Sequence, residues 1–197
     1  MKKSTASGSR GFSKQQAFFC PDPIRRPNYF AGALLSVDDF ATEQNYHREK
    51  LRRHNLHCHG FGVVQGLNVS TVHKDSAWRV AITPGVAIDP TGNEIELCTT
   101  AHLPLPKSPT TIEVAIRFVE RLSAPVPSLS GPASPGSQPS RVEEGCEVLL
   151  NPVVTPPSSR TNGTGRNLIP GFLPLAYLVR ERGAWRVSRK FKIPRAH

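Results

Sequence analysis

Between residues 35 and 58 the apolar positions recur every three to four residues, and beyond residue 60 the spacing falls to two. The first pattern is helical. At a hundred degrees per residue, Val37, Phe40, Gln44, His47, Leu51, His54, Asn55 and Cys58 form one stripe and the charged residues fall elsewhere. Ser36 is a good N-cap, and Asp39 at N3 gives a shortened capping box. Leu35 and Phe40 stand where a hydrophobic staple requires apolar side chains. Acids (Asp38, Asp39, Glu43) gather in the first half and bases (Arg48, Lys50, Arg52, Arg53) in the second, which complements the helix dipole. The pattern predicts a helix over 37 to about 58, ended by Gly60. Because the stripe is only half apolar, this helix is expected to pack on a small sheet or a partner chain through mixed contacts.

After Gly60 come short β-rich runs: "FGVVQGLNVS", "WRVAIT", "GVAID", "EIELC", "TIEVAIRFVE", "CEVLL", "PLAYLVR" and "AWRVSRKFKI". Val86 and Ile88 alternate before "DPTGN", and Ile95 and Leu97 after it, which reads as a hairpin. A second hairpin is expected at "LAYLVRERGAWRVSRKF", with the glycine of "ERG" in a left-handed position. The fold class is α+β, mainly β: an extended arm, one long helix, then a small antiparallel β-barrel or sandwich.

That core is interrupted. Residues 123–140, "SAPVPSLSGPASPGSQPS", contain thirteen Ser, Pro or Gly and no charge, so they read as a flexible loop. A second such stretch, "TPPSSRTNGTGR", lies at 155–166. The expected organisation is a basic arm over 1–26, helix and hairpin over 27–122, the loop over 123–140, and the remaining strands of the same domain with a basic end over 141–197. Phe12, Phe18 and Phe19 are aromatics in an otherwise polar arm, which suits a segment that docks on a partner or on its own domain.

Charge sharpens this picture. The net charge is +10 at 197 residues, but 1–26 carries six Lys/Arg against one Asp, and 160–197 carries nine against one Glu. The bases lie on the two extensions, without the clustering and interleaved aromatics of a stacking surface, so nucleic acid is not the expected partner. They read as two solvated basic extensions, which could also dock on acidic protein neighbours. No stretch approaches eighteen consecutive apolar residues and no apolar run follows the basic start, so cytoplasmic synthesis without a signal peptide or membrane insertion is expected.

The chemistry-bearing residues are concentrated in "HREKLRRHNLHCHGFGVVQGLNV". His54 and Cys58 have the i, i+4 spacing of two ligands on one helical face, and His57 and His59 bracket the helix end. His47, two turns from His54, is too far away to share an ion. The alternative is that the histidines line a packing contact, bonded through their ring nitrogens. Cys20, Cys58, Cys98 and Cys146 lie far apart with no C-x-x-C pair, so free, buried thiols are expected. Asp89, Glu94 and Glu96 could pair as catalytic carboxylates, but Asp89 precedes a Pro-Thr-Gly-Asn turn, where Asp bonds backbone amides, and the two glutamates share an outward phase. No nucleophile-elbow, H-E-x-x-H or phosphate-loop pattern occurs. No cofactor and no enzymatic activity are expected.

The stretch "RRPNYFAGALLSVDDFATEQNYHREKLRRHNLHCHGFGVVQGLNVS", followed by "VAITPGVAIDPTGNEIEL", resembles a family of bacterial structural proteins of phage-tail-like particles and contractile injection systems. Their pattern is N-Y-F-x-G-x-L-L, D-F and E-Q-x-Y-H on a helix, then H-G-x-G-V-V-x-G-L. The matching positions are Asn28, Tyr29, Phe30, Gly32, Leu34, Leu35, Asp39, Phe40, Glu43, Gln44, Tyr46 and His47, then His59, Gly60, Gly62, Val63, Val64, Gly66 and Leu67. The likeness is specific there and generic through the later strands to about residue 187. It implies a baseplate, cap or fibre-attachment subunit, present in several copies and assembled with other particle proteins. It also implies an architectural role for His59 and the glycines. The rival readings are a basic nucleic-acid-binding module and a domain stabilised by metal on His54, His57, Cys58 and His59. Under the architectural reading, Gly60→Val disrupts folding, seen as lost soluble yield, whereas His57→Ala leaves folding and function intact; the reverse pattern in a paired expression and complementation assay would favour the ligand reading.

Overall fold

A computed structural model describes residues 23–127, 136–153, 171–189 and 191–197. Phe12, Phe18 and Phe19, Cys20 and the 155–166 stretch lie outside the described residues. The chain divides into two compact units, residues 1–49 and 50–197.

In the first unit the chain turns at Phe30–Ala33, where the Ala33 amide donates to the Phe30 carbonyl (3.1 Å) and Gly32 takes φ +87°. Helix α1 (Val37–His54) then starts on the expected capping box. The Ser36 amide and hydroxyl both donate to Asp39 Oδ2 at 2.8 Å, and the Asp39 amide returns a bond to Ser36 Oγ (3.3 Å). The Ser36 backbone amide, with its hydroxyl, holds the Asp39 carboxyl below the usual carboxylate range.

The helix face differs from expectation. α1 has no buried residue. Val37, Phe40 and Leu51 on the expected packing stripe are 83%, 56% and 53% exposed, and Leu35 of the expected staple is half exposed. The half-buried positions are instead Asp39, Glu43, Tyr46, Glu49 and Arg52. Among the described residues the apolar stripe is therefore exposed.

Among its described residues the second unit holds ten strands: β1 (Gly62–Gly66), β2 (Val69–Lys74), β3 (Ala77–Ile82), β4 (Gly85–Ile88), β5 (Glu94–Leu97), β6 (Ala101–Pro104), β7 (Thr111–Pro127), β8 (Ser137–Pro152), β9 (Phe172–Glu181) and β10 (Ala184–Val187). They form three antiparallel sheets, ordered β1-β4-β5, β2-β3-β6 and β10-β9-β7-β8, which curl into a half-barrel. Both expected hairpins are present. The second closes on two residues, Arg182 (φ +49°) and Gly183 (φ +83°), the doubly left-handed turn that matches strand twist.

One apolar cluster fills the unit, drawing Val63, Leu67, Val80, Ile82 and Ile95 from the earlier strands and Ile112, Val114, Ile116, Leu173, Leu175, Leu178 and Trp185 from the later ones. Sheets are also stitched across: Thr71 Oγ1 donates to the Trp185 carbonyl at 2.9 Å.

Two features depart from the sequence reading. "AHLP" forms β6 although its apolar alternation is too brief to register as a strand; it is recruited by pairing Ala101–Pro104 with Ile82–Arg79. The proline-rich segment is also strand at both ends. The β7–β8 ladder continues through Leu122↔Val142 and Pro125↔Pro139 to Pro127↔Ser137. β9 pairs with β7 only from Thr111 to Arg117, so beyond that point β7 and β8 form a two-stranded ribbon. A ribbon edge does not need every amide, so prolines are tolerated there as they would not be in a central strand.

Gly66 shows what the core demands of the backbone. At φ +64° its would-be Cβ lies 2.1 Å from the Pro84 carbonyl oxygen and 2.8 Å from Gly85 Cα. Gly66→Ala therefore forces β1 from β4 and is expected to cost more than about 2 kcal/mol, read as a lower urea midpoint.

Candidate functional site: the helix exit and the Asp89 turn

α1 does not stop at His54 but widens into a π-turn, Asn55–His59, before Gly60 reverses the chain at φ +73°, ψ −162°. That backbone region is essentially reserved for glycine. A π-turn bonds its backbone from i to i+5, which brings side chains four and five apart near one another. Accordingly the His54 and His59 rings meet edge to face at 5.3 Å, with Cys58 Sγ 3.6 Å from His54 Nδ1.

The inner side of this exit is carried by Asn55, the buried residue of the π-turn. Its Nδ2 donates to the Gly92 carbonyl at 3.0 Å, and one turn earlier Arg52 Nε donates to Asn93 Oδ1 at 2.7 Å. Both acceptors belong to the "DPTGN" turn between β4 and β5. The turn is organised by Asp89, which is 1% exposed. Asp89 Oδ1 accepts from the Thr91 amide (2.8 Å), the Thr91 hydroxyl (2.7 Å) and the Asn93 amide (3.0 Å), while Oδ2 accepts from Asn93 Nδ2 (2.8 Å). A buried carboxylate requires such partners. Gly92 at φ +90° completes the joint, since a Cβ there would stand 2.5 Å from the Arg52 carbonyl oxygen.

The outer side is bound by residues 194–197. The Val63 amide donates to the Pro194 carbonyl and the His197 amide to the His59 carbonyl, both at 2.9 Å. His59 Nδ1 lies 2.6 Å from the His197 carbonyl oxygen, so that nitrogen carries the proton. Gly62, at φ +143°, has no room for a side chain: its Cβ would fall 2.6 Å from Pro194.

These contacts sort the sequence candidates. His59 is bound to the His197 carbonyl, Gly60, Gly62 and Gly66 take positive φ, Gly62 and Gly66 have no room for a side chain, and Leu67 is fully buried. Of the four metal candidates, the structure brings His54 to Cys58 and His54 to His59, while His59 spends Nδ1 on a backbone carbonyl and His57 is exposed. Among the described residues no group of three or more His, Cys, Asp or Glu is placed to hold a metal ion. Glu94 and Glu96 are exposed, and Asp89 serves its turn.

The thiols correct an expectation. Cys58, Cys98 and Cys146 are free, but Cys58 and Cys98 are exposed and Cys146 is half-buried, because the helix exit, the end of β5 and the edge strand β8 all face outward. Burial, with Cys98 nearby, pushes the Cys146 thiol up.

The other motif positions stay at the surface. Tyr29 (54% exposed), Phe30 (69%) and Leu34 (96%) lie on the turn leading into α1, with Asn28 also exposed. On α1 Glu43 pairs with His47 at 3.0 Å, Tyr46 meets the His47 ring edge-on, and Gln44 is exposed. Sequence reasoning missed Arg52, Asn55, Asn93 and the 194–197 segment. A buried amide on an otherwise polar stripe was the available signal for Asn55; the segment left none.

No family model matches the sequence and no curated protein does. The likeness is to baseplate proteins, and it is one of fold. A chain of the TssK-TssF-TssG baseplate subcomplex of the type VI secretion system matches with TM-score 0.50 at 16% identity, over 86% of this chain and 62% of that one. A chain of the type VI secretion baseplate complex (TM-score 0.47, 15% identity, 86% and 41% covered) and TssK itself (0.46, 14%, 84% and 41%) follow, at scores too loose to argue from. The chain thus spans less than two thirds of each structure it resembles. Among the described residues no helix is long and apolar enough to cross a membrane.

The joint makes a separable prediction. Asp89→Asn replaces one acceptor oxygen with a donor facing Asn93 Nδ2 and is expected to cost about 2 kcal/mol in chemical denaturation. Gly92→Ala, by contrast, is expected to raise hydrogen exchange at residues 52–56 while β7 and β9 keep their protection.

Proposed function

We propose that the chain is a non-enzymatic structural subunit of a contractile injection or phage-tail-like particle, at the level of its baseplate, cap or fibre attachment. It works through arm and edge-strand contacts with neighbouring particle proteins and is present in several copies of a symmetric assembly.

The observation that carries this reading is the contrast between the two units. The β unit closes a core of its own, while α1 buries none of its side chains and the turn before it exposes Tyr29, Phe30 and Leu34. A chain that exposes so contiguous an apolar run is built to cover it with something else. The β7–β8 ribbon adds a second reaching element, with β8 on the sheet edge. The fold likeness to a baseplate chain and the resemblance of the motif to injection-particle proteins point to the same class of partner. The most buried carboxylate is committed to holding a turn, which suits a scaffold.

The test is made in native cells that produce such particles. The tagged chain is expected to co-sediment with sheath and tube through a density gradient, and its deletion to abolish assembled sheaths in electron micrographs. Normal sheath numbers in the deletion strain, with the tagged chain staying at the top of the gradient, would sink the proposal.

A further inference from the structure

α1 carries a seam that the described residues leave exposed. Val37, Phe40, Gln44, His47, Leu51 and His54 are separated by alternating steps of three and four, the a/d spacing of a coiled coil. All six are exposed. Over 18 residues the seam is about 27 Å long.

Charge decides what covers it. The helix begins with Asp38 and Asp39, carries Glu43 in its second turn, and ends with Arg48, Lys50, Arg52 and Arg53 around a single acid, Glu49. A second copy laid parallel sets acid on acid and base on base, with the helix dipoles aligned. Laid antiparallel, each acidic end meets a basic end, and two-fold symmetry makes every contact twice.

In that orientation the seam is self-complementary. Phe40 packs against the partner's Leu51, so the two largest apolar side chains meet each other. Val37 covers the stem of the partner's His54. At the centre Gln44 lies beside the partner's His47, where amide and imidazole can exchange a hydrogen bond; such a polar layer fixes register and orientation. Flanking the seam, Glu43 faces the partner's Lys50.

We infer that α1 pairs antiparallel with α1 of a second copy of this chain, through the seam Val37–Phe40–Gln44–His47–Leu51–His54. The inference gives the several-copy part of the proposed function a surface, and it is tested in solution, independently of any particle.

Sedimentation equilibrium of the full chain is expected to show a dimer at micromolar concentration. F40E/L51E is expected to be monomeric with an unchanged far-ultraviolet spectrum, since both side chains are exposed. E43K, which sets lysine against lysine twice, is expected to raise the dimer dissociation constant about tenfold. Adding K50E restores it, because only the antiparallel pair places residue 43 opposite residue 50; a parallel pair sets Glu43 by Arg48 and gains nothing. Both variants lack the Glu43–His47 pair, so comparing them isolates the contact between copies. A wild-type monomer at about 100 μM, a dimer that survives F40E/L51E, or E43K/K50E as weak as E43K overturns the inference.

Discussion

A single buried carboxylate holds the helix to the sheet. Asp89 accepts four hydrogen bonds from within its own turn and thereby fixes where the Gly92 carbonyl and the Asn93 side chain point. Those two groups receive Asn55 and Arg52. An ionised group removed from water is tolerable only when its partners are rigidly placed, so the turn cannot loosen without leaving a bare charge inside the protein. The helix exit inherits that rigidity through two bonds. From there Gly60 and Gly62 deliver the chain to β1, where the 194–197 segment closes over it.

Apolar burial and apolar exposure are therefore divided between parts of the chain. Behind the joint, the strands share a core in which Trp185, Leu67, Ile82 and Ile116 are fully buried. On α1 the charges are ordered by the helix dipole and the apolar positions stay in water. The cross-strand ion pairs Arg117–Glu147, at the last position that β9 reaches, and Arg121–Glu143, on the ribbon beyond it, are solvent-exposed and contribute little to stability. Arg121–Glu143 helps to keep β7 and β8 in register where, among the described residues, no third strand does.

What could be read from the sequence follows from how local each signal is. The capping box, the Asp89 turn and both hairpins are set by residues within five positions of one another, and each was legible. The orientation of α1 was not. Its apolar stripe was visible, but which face turns inward depends on Asn55 and Arg52 meeting a turn some forty residues away. β6 escaped notice because four residues hold too few alternations, and the outer ribbon because serine and proline look the same in a loop and on a strand edge. His59 was singled out as a ligand or junction residue; its bond to the His197 carbonyl, 138 positions away, left no mark in the sequence.

The ribbon has a mechanical consequence. Ten residues of β7 beyond Arg117, at about 3.3 Å each, reach roughly 30 Å from the last point where three strands run together. Its root is clamped where Phe118 and Cys146 pack on the core and Cys146 Sγ donates to the Glu96 carbonyl, and beyond that its described length is braced by cross-strand pairs. It is a cantilever: a few degrees of bending at the root becomes several ångströms at the far end. A ribbon so built reaches well beyond the core and can bend without disturbing the packing that keeps the protein folded.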